Sequence, residues 1–186
     1  MSRIGLELLG PNDVKDEWTE WFNSSHARYY TRSGREIGLD ELRSSIALGL
    51  ERNNQFTFGI RHLPDNVLIG TLKLGPIDAQ HGTADMAVFI GAQEYLGQGL
   101  GAEVVKEATT MAFEKYGVQK LHSGVLERNA PSIRAYIKAG WIIEGVLHKH
   151  CFNEGVRQDW ILISCFNPRD FKGTLPVGIR IDVLNK

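Results

Sequence analysis

The stretch that decides the fold reads ADMAVFIG (84–91), AQEYL (92–96), GQGLG (97–101) and AEVVKEATTMAFEKY (102–116). Its first segment, Ala84–Gly91, is apolar and partly β-branched, which predicts a buried strand. From Leu100 the apolar residues recur at helical spacing, which predicts a long helix. The glycines between them let several N–H groups converge at the positive end of that helix, where anions bind. The sequence therefore predicts a phosphate cradle formed by Gly97, Gln98, Gly99, Leu100, Gly101 and Ala102.

Other glycine loops also bind phosphates, and the details separate them. A P-loop needs a Gly-Lys-Ser/Thr sequence, which this stretch lacks. Gly97, Gly99 and Ala102 do have the spacing of a dinucleotide-binding loop. Such a loop directly follows its strand, whereas the strand here is predicted to end at Gly91. The loop alone does not choose between a dinucleotide and another phosphate ligand.

Two motifs together resemble the GCN5-related N-acetyltransferase (GNAT) family. LGQGLG (96–101) resembles the loop that binds the pyrophosphate of coenzyme A, Gln/Arg-x-x-Gly-x-Gly/Ala, with Leu96 in place of Gln or Arg. NAPSIRAYIKAGW (129–141) resembles the family's Asn-x-x-Ser/Ala-x-x-x-Tyr-x-Lys-x-Gly-Phe segment. Pro131 and Gly140 suit the start and end of a short helix. The two motifs occur in the family's order, and the resemblance covers roughly residues 3–166.

The resemblance implies an α/β (α+β) architecture, the GNAT fold. This is a mixed, mostly antiparallel central sheet of about seven strands with helices on both faces. The sheet would splay between strands 4 and 5, which are Ala84–Gly91 and Leu121–Leu126 here. The expected order is β-α-α-β-β-β-α-β-α-β-β. We expect residues 1–166 to form a single acetyltransferase domain and residues 167–186 to be a C-terminal extension of that domain.

Local patterns give further boundaries. Pro11 is predicted to start a helix and Asp40 to cap a second one, with an irregular polar connector at 24–35 between them. Gly75-Pro76 is predicted to end a strand. In the tail, VGIRI (177–181) fits either an edge strand or a contact with a second copy in a homodimer.

Composition sets the broad class of protein. The chain has 186 residues, a net charge of −1 and 42% hydrophobic residues, which are ordinary values for a globular domain. The nearly neutral charge gives no reason to expect nucleic acid or a membrane surface as a partner. No signal peptide or apolar run of about 20 residues is evident, so we expect a cytoplasmic protein. Cys151 and Cys165 form no metal-ligand pattern, and no metal is expected.

The resemblance also implies site residues for acetyl transfer from acetyl-CoA to an amine. Main-chain groups at Val88, Phe89 and Ile90 would face the thioester and the pantetheine. Tyr136 would be the general acid beside the coenzyme sulfur, or else an ordinary core tyrosine. Asn129 and Ser132 belong to the same motif. Asn129 would bond the pantetheine or a nearby backbone group, or merely cap the helix.

The general base is less well defined by the sequence. Those relatives that carry a glutamate on the fifth strand, five residues before the motif's Asn, would use it as the base, but this chain has Gly124 there, so that role cannot be carried over. Asp85 is the candidate base, acting through a water molecule, and its alternative is a satisfied strand-end carboxylate. The predicted acceptor-binding residues are Tyr30, Arg32, Arg35 and His148, because arginines suit phosphates and tyrosines stack on base or sugar faces.

The acceptor is the last question. IGTLKLGPID (69–78) resembles a branch related to ribosomal-protein-alanine N-acetyltransferases, which includes enzymes acting on nucleotide-linked amino sugars. The first expectation is direct transfer to such an amino sugar in a ternary complex. A protein N-terminus or a polyamine is the alternative. A non-catalytic coenzyme-A-binding module and a dinucleotide-binding oxidoreductase also stay open.

Overall fold

A computed structural model describes residues 2–31, 35–171 and 175–181 of the chain. Its core is a seven-stranded sheet in the order β1-β2-β3-β4-β5-β7-β6. The strands are β1 (Ile4–Leu8), β2 (Phe56–His62), β3 (Val67–Asp78), β4 (Thr83–Ile90), β5 (Lys120–Leu126), β6 (Ile142–Asn153) and β7 (Val156–Phe166). The α-helices are α1 (Glu17–Asn23), α2 (Ser25–Tyr30), α3 (Leu39–Glu51), α4 (Leu100–Lys115) and α5 (Ala130–Lys138). Short 3₁₀ turns lie at Pro11–Asp13 and Gln93–Tyr95.

The predicted divergence of strands 4 and 5 is confirmed. They run parallel for only three residue pairs, the last being Asp85 with His122. Beyond this point β4 stays paired with β3 up to Ile90, and β5 stays paired with β7 up to Leu126. Each strand therefore follows its outer neighbour, and a wedge opens between them. We call this wedge the fork.

Helix α4 forms as its sequence pattern predicts. Leu100, Val104, Ala108 and Ala112 lie four residues apart, and all are buried against the sheet. The helix ends beside Gly117, which has a φ of +66° and so takes the left-handed conformation that glycine allows. The apolar stripe thus fixes both the length of α4 and the direction in which its N-terminus points.

Several boundaries predicted from the sequence were wrong. The connector at 24–35 contains helix α2, which begins where Ser24 Oγ accepts a hydrogen bond from the Ala27 N–H. Strand β3 continues past Pro76, because the pairing register shifts between Leu74 and Ile77 and a bulge absorbs the proline.

The two helices also begin at residues other than those predicted. Pro11 opens only a 3₁₀ turn, and α1 begins later, at Glu17. The N-cap of α3 is Gly38, and Asp40 lies inside the first turn. No helix among the described residues is both long and apolar enough to span a membrane.

Candidate active site

A cavity of about 780 Å³ opens at the fork and extends to the N-terminal end of α4. Most residues singled out from the two motifs line it. The lining from the sheet and loop includes Val88, Phe89, Ile90, Gly97, Gly99, Leu100, Gly101, Ala102, Ser123 and Gly124. The lining from the other elements includes His26, Tyr30, Asn129, Ser132, Arg134, Tyr136, Lys138 and Trp160.

The glycine loop has the geometry of an anion cradle. Gly97 and Gly99 have φ values of +74° and +78°, and a Cβ added to either would meet no atom within 4 Å. In the described part of the chain, no protein acceptor takes the N–H groups of residues 97–101. The Ala102 N–H instead donates to the Gly99 carbonyl at 3.3 Å, so Ala102 contributes less than predicted. Free donors facing an open cavity at a helix N-terminus fit a pyrophosphate.

The backbone of β4 presents polar groups to the fork. The Met86 carbonyl accepts a hydrogen bond from Tyr136, so it faces away from β3. Because hydrogen-bonding direction alternates along a strand, the main-chain groups of Val88 and Ile90 face the same way, and those of Phe89 face β3. β4 pairs regularly with β3 at these residues, so the expectation that the Phe89 main chain would face the thioester was wrong. An irregularity comes at Gly91–Ala92, where both N–H groups donate to the Ile69 carbonyl.

Tyr136 lies where the two strands part. Its hydroxyl donates to the Met86 carbonyl at 3.2 Å, and the ring is almost completely buried. Burial raises the pKa of Tyr136 to about 12, while hydrogen bonding with Ser123 of β5 works in the opposite direction. The phenol therefore stays protonated at neutral pH and touches both arms of the fork.

Neighbouring residues fix the orientation of helix α5. The Trp141 ring packs edge-on against Tyr136, and its Nε1 donates to Thr109 on α4 at 2.9 Å. Asn129 caps α5 by accepting from the Ser132 N–H, and its Nδ2 donates to the Tyr30 carbonyl at 3.3 Å. Asn129 thus both caps the helix and ties it to α2.

Asp85 lies at the apex of the fork, where strand alternation points its side chain away from the Met86 side of β4. Its carboxylate lies 3.9 Å from Lys73 Nζ and 3.9 Å from His122 Nδ1. Burial raises the pKa of Asp85, and the nearby charges of Lys73 and His122 oppose that rise. A second ion pair lies farther along the sheet, where Lys120 Nζ is 2.9 Å from Glu144 Oε1. The apex therefore carries a half-buried carboxylate beside an imidazole.

Gly124 lies on β5, five residues before Asn129, where the family resemblance would place a glutamate as general base. A Cβ added here would overlap the indole ring of Trp160 from β7. Trp160 lines the cavity and so forms one wall of the fork. Among the described residues, the cavity therefore has an aromatic wall and no carboxylate at this point.

The predicted acceptor residues do not all come together. Tyr30 lines the cavity and packs edge-on against His26. Arg35 bonds Glu41 at 2.8 Å, and His148 lies 2.9 Å from Asp159 with its side chain 79% exposed; neither lines the cavity. Arg32 lies outside the described residues. Among the described residues, no cluster of His, Cys, Asp and Glu is suited to a metal ion.

The sequence reading missed several residues around the cavity. Arg134 and Lys138 are one turn apart on α5, inside the recognised motif, and their spacing was a usable signal. His122 and Trp160 gave no local signal, because strand pairing alone brings them to the fork.

Comparisons with known proteins agree with this geometry. Residues 3–142 match a family model described as "Acetyltransferase (GNAT) domain". The chain is 30% identical over 166 residues to Probable N-acetyltransferase YjcK of Bacillus subtilis, covering 88% of this chain and 89% of that protein. It is 24% identical over 171 residues to the Uncharacterized N-acetyltransferase YoaA of the same organism, covering 90% of this chain and 96% of that protein.

The fold is also similar to a solved structure. Spermidine N-acetyltransferase from Vibrio cholerae, in complex with CoA and spermine, superposes with a TM-score of 0.80 at 22% identity over 89% of this chain and 96% of that one. This family match decides against the two other functions left open by the sequence, a dinucleotide-binding oxidoreductase and a non-catalytic coenzyme-A-binding module. The chain belongs to the GNAT family and is an acyltransferase that uses acetyl-CoA.

Proposed function

We propose that the enzyme transfers the acetyl group directly to a primary amine in a ternary complex. The observation that carries the proposal is the fork, which has polar groups on both sides of one opening. Acetyl-CoA supplies an activated acyl group whose carbonyl becomes an oxyanion and whose sulfur leaves as a thiolate. The N–H groups of residues 97–101 hold the pyrophosphate, and the N–H groups on the fork side of β4 stabilise the oxyanion.

The two proton-handling groups lie on opposite sides of β4. Tyr136 lies on the side packed against α5, where its hydroxyl exchanges its hydrogen bond to the Met86 carbonyl for one to the leaving sulfur. Asp85 lies on the other side, where it accepts the ammonium proton through a water molecule. Its raised pKa makes it a better base than an ordinary aspartate. His122, next to it, stabilises the carboxylate before the proton arrives.

For the acceptor we propose a nucleotide-linked amino sugar. His26, Tyr30 and Trp160 offer ring faces to a base or sugar, and no carboxylate is among the described residues that line the cavity. The aromatic and basic lining suits a neutral or anionic acceptor better than a polycation.

A polyamine is the second candidate. The solved structure described above is a spermidine N-acetyltransferase in complex with CoA and spermine. Asp85, at the apex of the fork but not among the residues that line the cavity, is the carboxylate that would meet a cationic chain.

The tail supports our proposal that residues 167–186 extend the domain formed by residues 1–166. The Ile179 N–H donates to the Ile143 carbonyl at 2.9 Å, and Ile181 packs against the core. Residues 178–181 therefore lie beside the start of β6.

The test of the acceptor is a panel of amines assayed by thiol release from acetyl-CoA, with each product identified by mass. The panel contains nucleotide-linked amino sugars, spermidine, spermine and peptides with free N-termini. We expect the highest kcat/KM for an amino sugar nucleotide. A higher kcat/KM for spermidine would overturn this acceptor assignment while leaving the acetyl-transfer mechanism intact.

A further inference from the structure

Arg3, next to the start of β1, connects three parts of the molecule. Its Nε donates to Glu103 Oε1 at 3.0 Å, and its Nη2 also bonds this carboxylate. The same Nη2 donates to the Gln98 carbonyl at 3.1 Å. One guanidinium thus joins the first strand to the glycine loop and to the first turn of α4.

The contact with Gln98 sets the direction of a loop N–H. In a trans peptide the C=O and the following N–H point in opposite directions. With the Gln98 carbonyl held by Arg3, the Gly99 N–H points away from Arg3, and Gly99 lines the cavity. Gly97 and Gly99 have no side chains of their own to fix this orientation.

The contact between Arg3 and Glu103 compensates a negative charge beside the glycine loop. Glu103 is an acidic residue in the first turn of α4, beside the loop that is proposed to hold a dianionic pyrophosphate. Hydrogen bonding from Arg3 holds the pKa of Glu103 below its usual value, so the carboxylate is ionised at neutral pH. Without Arg3, a negative charge next to the cradle would lose its nearest counter-charge.

We propose that Arg3 is a positioning residue for the pyrophosphate: it aims the loop N–H groups and neutralises Glu103. This inference rests on the proposed placement of coenzyme A. Two consequences follow. Loss of Arg3 should weaken binding of CoA but not of a ligand without pyrophosphate. Removal of the Glu103 charge should recover part of that loss.

The experiment compares Kd for CoA and for pantetheine by titration calorimetry. For Arg3→Gln we expect Kd for CoA to rise roughly tenfold, the size of one uncompensated charge near a polar surface. Kd for pantetheine should not change. Adding Glu103→Gln to Arg3→Gln should recover most of the CoA affinity, which a purely structural role would not produce.

The chain provides a matched control in Arg61. Arg61 bonds Glu7 of β1 through Nε at 3.2 Å and donates to the Asn66 carbonyl at 2.9 Å, so it repeats the Arg3 arrangement away from the loop. Arg61→Gln should leave both Kd values at wild-type levels. If Arg3→Gln does not fold, Arg3→Lys keeps the charge but loses the planar two-point contact, and its Kd for CoA should still rise.

The outcomes separate the inference from the proposed site. Wild-type protein that binds CoA no more tightly than pantetheine would refute the pyrophosphate cradle itself. Wild-type protein that prefers CoA, with unchanged affinity in the folded Arg3 variant, would overturn only the role of Arg3.

Discussion

Replacement of Tyr136 by phenylalanine tests how the leaving sulfur is stabilised. The pKa of about 12 makes the buried phenol a weaker acid than a thiol, whose ordinary pKa is about 8.5, so complete proton transfer is uphill. A hydrogen bond to the developing thiolate is the more favourable role. Such a bond to a charged group contributes about 1.5–3 kcal/mol, equivalent to roughly 10- to 150-fold in rate. We therefore expect kcat of Tyr136→Phe to fall by that factor, below the upper end of the ~10²–10⁴ typical of general acid catalysis.

The assay is single-turnover thiol release at saturating acetyl-CoA, which isolates the chemical step. Stability is measured in parallel by urea unfolding, because the variant leaves the buried Met86 carbonyl without its donor, at a cost of about 1–3 kcal/mol. Tyr116→Phe is the control, since Tyr116 packs on Phe56 at the far end of α4. A wild-type chemical step in folded Tyr136→Phe would refute the role of the phenol. A loss of ~10³–10⁴-fold, beyond what a hydrogen bond alone contributes, would show that complete proton transfer is required.

Further predictions concern the fork and the loop. The raised pKa of Tyr136 means that its stabilising effect is present below pH 10 and is lost as the pH rises toward about 12. In urea titrations over that interval, wild-type protein should lose about 2 kcal/mol more than Tyr136→Phe. Asp85→Asn should lower kcat by ~10²–10⁴-fold and leave the Kd for CoA unchanged. A kcat equal to that of the wild-type enzyme would show that Asp85 is not the base. Gly99→Ala should cost about 1 kcal/mol in urea unfolding because of its positive φ, and should raise Kd for CoA. Gly124→Ala should lower the free energy of unfolding by about 1–3 kcal/mol, because the added methyl group overlaps the Trp160 ring. It should also raise the KM of the acceptor more than the KM of acetyl-CoA. An unchanged stability and an unchanged acceptor KM would mean that the indole moves aside without cost.

The sequence predicted those parts of the site that depend on local patterns. The glycine loop, the apolar stripe of α4 and the cap of α5 each follow from residues close together in the chain. The fork between β4 and β5 came from the family resemblance, since periodicity does not give the register between strands. These features carry the proposed placement of the coenzyme.

The acceptor side depends on distant contacts and was less predictable. Helix α2 is short, and its end is held from outside, where Asn153 Nδ2 donates to the Arg28 and Thr31 carbonyls. A six-residue segment has too little intrinsic helicity for its sequence to predict a helix. His122 reaches Asp85 only through the parallel pairing of β4 and β5, and Trp160 reaches Gly124 only through the pairing of β5 and β7.

A crystal structure of the protein with CoA tests the central claim most directly. The account predicts diphosphate oxygens within about 2.7–3.2 Å of the backbone nitrogens of residues 97–101. It also predicts that the thiol lies between β4 and β5, within reach of the Tyr136 hydroxyl. A diphosphate bound away from the glycine loop, or a thiol outside the fork, would contradict it.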